Sequence, residues 1–299
     1  MKSLPKKEKI TVVGKIGDVN FEKAKTCVLF LEQQNEHVTA EIISLFDTQW
    51  DEYIKRVAFE KEDPEFSAHR TAPLAFTNDT TYIGGIDQLL NWALLNYRYV
   101  DNTKLYKKKA AMLCKKVFNE SVRKFAFLEI LIQDEAKHTV IIELFNDIVP
   151  KTVENFFRLC IGNTKNNKGK QLTYTGTHVR RVIPGVFVEA GNLEDIGVSE
   201  HSSIYQGEFA DEGFEVKHDS VGLVGMSKRS GYPHTNQCQF YVTLGAPLSF
   251  LDNKCVLFGR VIQGMRVFKV VERLETLNQK PLVEVTIAAS GEYKYTPGK

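Results

Sequence analysis

The chain is 299 residues long, and at about 150 residues per domain that length suggests two domains. Apolar residues make up 43% and charged residues 25%, a balance that excludes wholesale disorder, collagen-like repeats and a disulfide scaffold. The formal net charge of +2 is too small to mark a nucleic-acid binder by itself. The five cysteines, Cys27, Cys114, Cys160, Cys238 and Cys255, include no CxxC pair, so neither a zinc ribbon nor a dithiol motif is present. The seven histidines show no metal-ligand spacing. Reduced thiols and a cytoplasmic setting are the simplest expectation. The first residues, MKSLPKKEK, are basic without an apolar stretch, unlike a secretory signal, and no apolar run reaches the length of a membrane span.

The first hundred residues predict alternating strand and helix. Ile10–Val13 is a short apolar strand stopped by Gly14. Ala24, Cys27, Val28 and Leu31 recur at helical spacing on one face. Thr39–Leu45 is β-branched and apolar, a second strand. Thr48 and Asp51 are spaced like a capping box, and Trp50, Tyr53, Ile54, Val57 and Ala58 line the helix that follows. Asp63, Pro64 and Ser67 predict a loop. Leu74–Phe76 and Thr80–Ile83 predict a hairpin turning at Asn78-Asp79, and a last helix carries Leu89, Leu90, Ala93, Leu94 and Tyr97.

This β-α-β-α-β-β-α order, with Ala72-Pro73-Leu74 and Tyr82-Ile83-Gly84-Gly85-Ile86-Asp87, resembles a glutaredoxin, a thioredoxin-fold protein. The resemblance implies a cis peptide before Pro73 and a vestigial glutathione site at Pro73, Gly84, Gly85 and Asp87. The redox cysteines belong between the first strand and first helix, and Gly14–Phe21 has none. Disulfide exchange needs a thiolate there, so residues 1–100 read as a thioredoxin-like α/β domain without redox chemistry, serving structure or docking. Residues 101–124 predict a basic linker helix, with eight basic residues against one acidic from Lys104 to Lys124. It is either a solvated connector or a strip for an acidic surface such as the tubulin tail region. Nucleic acid is disfavoured, because aromatic and basic residues are not interleaved as such a surface requires.

Residues 125–292 are strand-rich. Phe125–Ile132 and Thr139–Leu144 predict a hairpin, Pro150 suits the first turn of a helix, and Val153, Phe156, Phe157 and Cys160 give that helix an apolar face. Val267, Val270, Val271 and Leu274 predict a second helix, Glu284–Ala288 a closing strand, and 293–299 a tail. The segments ELFNDIVPKTVENF (143–156), YTGTHVRRVIPG (174–185), SSIYQGEFADEGF (202–214), VGLVGMS (221–227), TNQCQFYVTL (235–244) and LDNKCVLFGRVIQG (251–264) together resemble a cyclophilin-type peptidyl-prolyl cis-trans isomerase. The resemblance implies an eight-stranded antiparallel barrel capped by two helices. No cofactor and no metal are expected.

Rotation about an X–Pro amide breaks C–N resonance, with a barrier of about 18–20 kcal/mol. A catalyst must bind the twisted amide better than either planar form, using an apolar pocket for the ring and a fixed donor for the pyramidal nitrogen. By resemblance Arg181 is that donor, Gln239 contacts the substrate backbone, Tyr241 stands where a Phe forms the pocket floor, and Leu251 is a pocket wall. The departures fall in the same place. Val186 replaces a pocket Phe, with Phe187 next to it. Glu189 replaces a Gln, Phe250 a rim Trp, and Cys255 a His. Two extra residues lengthen the substrate loop at Ser227, Lys228, Arg229, Ser230 and Gly231. Glu189 is expected to compete for the Arg181 donors, the Tyr241 hydroxyl needs a partner when buried, and the Cys255 thiol is expected to fill space.

Two readings follow. One is a binding or structural module with weak or absent isomerase turnover, docked on a protein or a proline-containing peptide. The other is a working isomerase that assists protein folding, in which Arg181→Ala abolishes turnover. The domain order also resembles a cyclophilin subfamily associated with ciliated cells, which implies a ciliary axonemal setting.

Overall fold

In the computed structural model, residues 7–133, 135–199, 201–229 and 232–297 are described. The chain divides into two compact units, residues 1–120 with 295–299, and residues 121–294. Ser230 and Gly231 of the expected substrate loop lie outside the described residues.

The first unit runs β1 (Glu8–Lys15), α1 (Val19–Gln34), β2 (Val38–Leu45), α2 (Asp47–Lys61), α3 (Pro64–Ala68), β3 (Leu74–Thr77), β4 (Thr81–Gly84), α4 (Ile86–Tyr97) and α5 (Tyr106–Asn119). Its sheet has the order β2-β1-β3-β4, with β1 parallel to β2 and antiparallel to β3. Side chains of β1 alternate between faces. Ile10 and Val12 pack with Phe21, Ala24, Cys27 and Leu31 of α1 and Leu89 and Ala93 of α4. Val13 faces the other way, onto Trp50, Ile54 and Val57 of α2 and Phe66 of α3. The β3–β4 hairpin turns through Asn78, Asp79 and Thr80, with Asn78 and Asp79 at positive φ (49° and 62°), a conformation that Asn and Asp tolerate.

Three expectations are corrected here. Thr48 does not cap α2: the helix begins at Asp47, and the Gln49 side chain accepts from the Phe46 N–H at 3.1 Å. The segment expected as a loop at Asp63–Ser67 contains α3, capped by the Asp63 carboxylate accepting from Glu65 N–H at 2.8 Å. The helix expected as a linker is part of the first unit. α5 packs on α1 through the buried Tyr106, Ala110 and Cys114, and Tyr295 of the tail stacks on Phe118 and exchanges two hydrogen bonds with the Asn119 side chain. Spacing Tyr106, Ala110 and Cys114 four apart places them on one stripe, so the lysines between them remain outside.

The second unit runs β5 (Phe125–Ile132), β6 (His138–Leu144), α6 (Pro150–Ile161), β7 (Thr164–Lys165), β8 (Gln171–Leu172), β9 (Val179–Ile183), β10 (Phe187–Ala190), β11 (Leu223–Lys228), β12 (Asn236–Thr243), β13 (Leu257–Gln263), α7 (Met265–Val271), β14 (Thr276–Leu277), β15 (Lys280–Pro281) and β16 (Val285–Glu292). Eight strands form one antiparallel sheet in the order β16-β5-β6-β13-β11-β12-β10-β9. A bridge from His178 to Thr286 links its two ends and nearly closes a barrel. α7 stops at Val271, short of the Leu274 expected in it.

Inward residues of the strands form one core with α6, including Val188, Phe240, Val242, Phe156 and Phe258. Outward residues of the neighbouring positions, Phe187, Tyr241, Leu223 and Leu257, form a separate cluster with Ile183, Val186, Leu251 and Cys255. This second, outer cluster is the floor of the site.

Candidate functional site

The outer cluster underlies a cleft of about 740 Å³ whose lining includes Arg181, Val186, Phe187, Glu189, Ser227, Lys228, Arg229, Tyr241, Phe250, Leu251 and Cys255. Residues from four separate sequence segments converge because β9, β10, β12 and β11 are neighbours in the sheet. Glu189 pairs in register with both Arg181 and Tyr241, which fixes the three on adjacent strands. The structure therefore brings together nearly every residue singled out for the proline pocket. Gln239 is the exception: it lies half-buried on β12, two residues from Tyr241, and outside the cleft lining.

Arg181 is exposed, stands 5.4 Å over the Phe187 ring, and donates its Nε–H to Gln279 Oε1 at 2.5 Å. Gln279 sits in the β14–β15 turn at positive φ (69°), so this hairpin holds the guanidinium from behind. Glu189 was expected to pair with Arg181. Instead its carboxylate accepts from the Ser227 hydroxyl of β11 at 2.7 Å.

The Tyr241 hydroxyl finds its partner in His218. The phenol is buried at 3% exposure and His218 at 2%; the hydroxyl and Nε2 are 2.7 Å apart, and the rings are stacked. Asp252 Oδ1 lies 2.8 Å from His218 Nδ1 and 2.9 Å from its backbone N. A carboxylate can only accept, so Nδ1 carries the proton and Nε2 accepts from the phenol. Burial pushes the His218 pKa down and the Asp252 contact opposes that shift only partly, which keeps the ring neutral. The two hydrogen bonds from His218 hold Asp252 below its ordinary range. Cys255 is in hydrogen-bond contact with the phenol, and burial raises its thiol more than that contact lowers it, so it is not an activated nucleophile. Tyr241 can lie flat on the floor only because Gly225 faces it: a Cβ there would sit 2.3 Å from the hydroxyl.

Lys228 pairs with Asp211, and both side chains are nearly buried, at 8% and 4% exposure. Asp211 also accepts from Asn236 Nδ2 at 2.8 Å and His234 N–H at 3.0 Å. Burial drives its pKa up, and these donors outweigh burial to leave it below the usual carboxylate value. The carboxylate thus clamps both ends of the loop that carries the two extra residues. Sequence reasoning missed His218, Asp252, Asp211 and Gln279. A signal for the first existed, since a buried Tyr in a Phe position demands a polar partner. Nothing in the sequence pattern marks the others.

In the first unit, the peptide before Pro73 is cis. Gly84 closes β4 at φ 123°, Gly85 is the N-cap of α4, and Asp87 lies in its first turn. A Cβ on Gly85 would be 3.8 Å from the Pro73 carbonyl oxygen, so Pro73 and the two glycines are adjacent. Cys27 is fully buried and its thiol is pushed up to about 12 by that burial. Among the described residues no group of three His, Cys, Asp or Glu side chains is placed to hold a metal. Among the described residues no helix is long and apolar enough to cross a membrane.

A barrel of this strand order, with a cleft on its outer face between Arg181 and Leu251, defines a cyclophilin-type domain. Residues 127–292 match the family model described as "Cyclophilin type peptidyl-prolyl cis-trans isomerase/CLD", and the chain belongs to the cyclophilin family. Its similarity extends beyond that domain. The Mus musculus protein named "Probable inactive peptidyl-prolyl cis-trans isomerase-like 6" is 30% identical over 95% of this chain and 90% of its own length. Proteins of the same name from Homo sapiens (30% identical, 97% of this chain, 94% of the relative) and Bos taurus (31%, 95% and 92%) match equally broadly.

Proposed function

We propose that the second unit is a proline-peptide-binding module whose isomerase turnover is weak or absent. The observation that carries this reading is the composition of the cleft. Arg181 and an apolar floor remain, while Val186 stands half-buried where the resemblance expects a Phe. Losing several CH₂ equivalents at about 0.8 kcal/mol each weakens the grip on the pyrrolidine ring. Phe250, 55% exposed, offers area but no N–H donor, so cyclosporin-type ligands bind poorly. Arg181 is drawn toward Gln279, and each 1.4 kcal/mol of lost transition-state stabilisation costs about tenfold in rate. The word "inactive" in the relatives' names agrees with this reading.

The test is NMR exchange spectroscopy on an Ala-Pro peptide with the full chain, beside Arg181→Ala. Exchange at the uncatalysed rate of tens to hundreds of seconds supports the binding-module reading. Turnover that disappears in Arg181→Ala establishes a working isomerase and refutes it.

We read the first unit as a thioredoxin-like domain. The element order, the mixed sheet and the cis Ala72–Pro73 peptide support that reading. Its role is docking, with Pro73, Gly84, Gly85 and Asp87 a vestigial glutathione site. The exposed lysines at 107, 108, 115 and 116 on α5 favour an acidic protein surface, of which tubulin tails in a ciliary axoneme are the instance that the subfamily resemblance suggests.

A further inference from the structure

The charges around the cleft are not balanced at its mouth. Four cations line it, Arg181, Lys228, Arg229 and Lys254, against two anions, Glu189 and Asp211. Asp211 pairs with Lys228, while Glu189 accepts from the neutral Ser227 hydroxyl and keeps its charge, which leaves three cations facing one anion. Arg181, Arg229 and Lys254 are exposed. Arg229 rests 4.5 Å above the Tyr232 ring, which presents its guanidinium on an aromatic platform at low entropic cost. The same mouth exposes Tyr232 and Phe250, at 58% and 55%. An apolar floor ringed by cations fits a ligand with an apolar centre and acidic flanks.

We propose that the cleft selects proline peptides that carry a carboxylate side chain next to or near the proline, with Arg229 and Lys254 as the residues that set this preference. The inference rests on the proline-peptide reading above and adds a substrate class to it. Lys228, although cationic, contributes little, because its charge is spent on Asp211. The preference comes from residues of this chain's lengthened loop and of the turn after Leu251, not from the barrel itself.

Two exposed charge contacts, each weakened by solvent screening, are expected to give about tenfold in affinity, which is about 1.4 kcal/mol. The experiment is fluorescence anisotropy of the full chain with labelled Ala-Pro peptides flanked by Glu, by Gln or by Lys, at low and high salt. The expected result is Glu over Gln by about tenfold, Lys weakest, and a difference that shrinks as salt screens the exposed charges. Arg229→Glu with Lys254→Glu is expected to invert the order, and both positions are exposed enough to leave folding intact, which the unchanged melting of the barrel checks. Equal affinity for all three peptides, lost in Leu251→Asp, overturns the acidic preference and leaves the proline reading standing. A Glu preference untouched by the double variant places the acidic contact elsewhere and overturns the proposal. No binding by any peptide overturns the proposal and the proline reading together.

Discussion

Tyr241→Phe removes one oxygen and tests whether the hydroxyl is held as described. In the native cleft floor His218 Nε2 accepts from that hydroxyl at 2.7 Å, and His218 is buried at 2% exposure. The substitution leaves the buried Nε2 without its donor. An unsatisfied buried acceptor costs about 1–3 kcal/mol, so about 2 kcal/mol is expected. For a unit of this size each kcal/mol moves the midpoint by about 2–4 °C, giving a fall of about 4–8 °C. Both tryptophans, Trp50 and Trp92, lie in the first unit, so their fluorescence serves as an internal control. The barrel is followed by calorimetry or by methyl NMR of Val188 and Val242. In a double-mutant cycle, Tyr241→Phe with His218→Leu is expected to cost less than the two single changes combined, because both polar partners leave together. A Tyr241→Phe variant as stable as the parent, or strictly additive costs, refutes the hydrogen-bonded floor.

The pH dependence of the barrel follows from the same ring. The folded His218 pKa is depressed below its ordinary 6.5 by burial, so below that pH the unfolded chain binds a proton that the native state does not. Its stability contribution is full above 6.5, and falls as the pH drops below that value toward the folded pKa; urea midpoints from pH 8 to about 5 measure this, and a flat profile contradicts it. Gly225→Ala places a Cβ 2.3 Å from the Tyr241 hydroxyl, and overpacking of about 1–3 kcal/mol together with loss of peptide binding is expected in melting and anisotropy. Asp211→Asn strands the nearly buried Lys228 charge, a change that costs about 3–5 kcal/mol when one partner of a buried pair is lost; calorimetry reads it, and an unchanged midpoint rejects the clamp. Cys27, with its thiol pushed up to about 12, is expected to resist thiol reagents in the folded chain, which mass spectrometry after brief alkylation checks.

The barrel was legible because its strands alternate between two apolar faces and its motifs lie in order along the chain. Helix starts were less so. Thr48 looks like a cap because the spacing to Asp51 suits one, yet the N-cap is Phe46, two residues earlier, whose N–H the Gln49 side chain accepts. α5 reads as solvated from its lysines, and its three buried positions, Tyr106, Ala110 and Cys114, are too few to stand out against them. In the cleft, residue identities at Arg181, Val186, Tyr241 and Leu251 were readable, but their partners were not. Ser227 competing for Glu189, Gln279 holding Arg181 and His218 beneath Tyr241 come from segments 38, 98 and 23 residues away in sequence. Such pairings are set by strand register and loop course, which no local pattern encodes.

A titration of the isotopically labelled full chain with an Ala-Pro peptide, monitored at the Val186, Leu251 and Ile183 methyls and at the peptide's own cis and trans signals, bears on binding and turnover at once. The expected result is saturable shifts confined to the cleft while cis–trans exchange stays at the uncatalysed rate. Unmoved cleft methyls at saturating peptide, or fast exchange that Arg181→Ala abolishes, contradicts the assignment of this cyclophilin domain as a binding module.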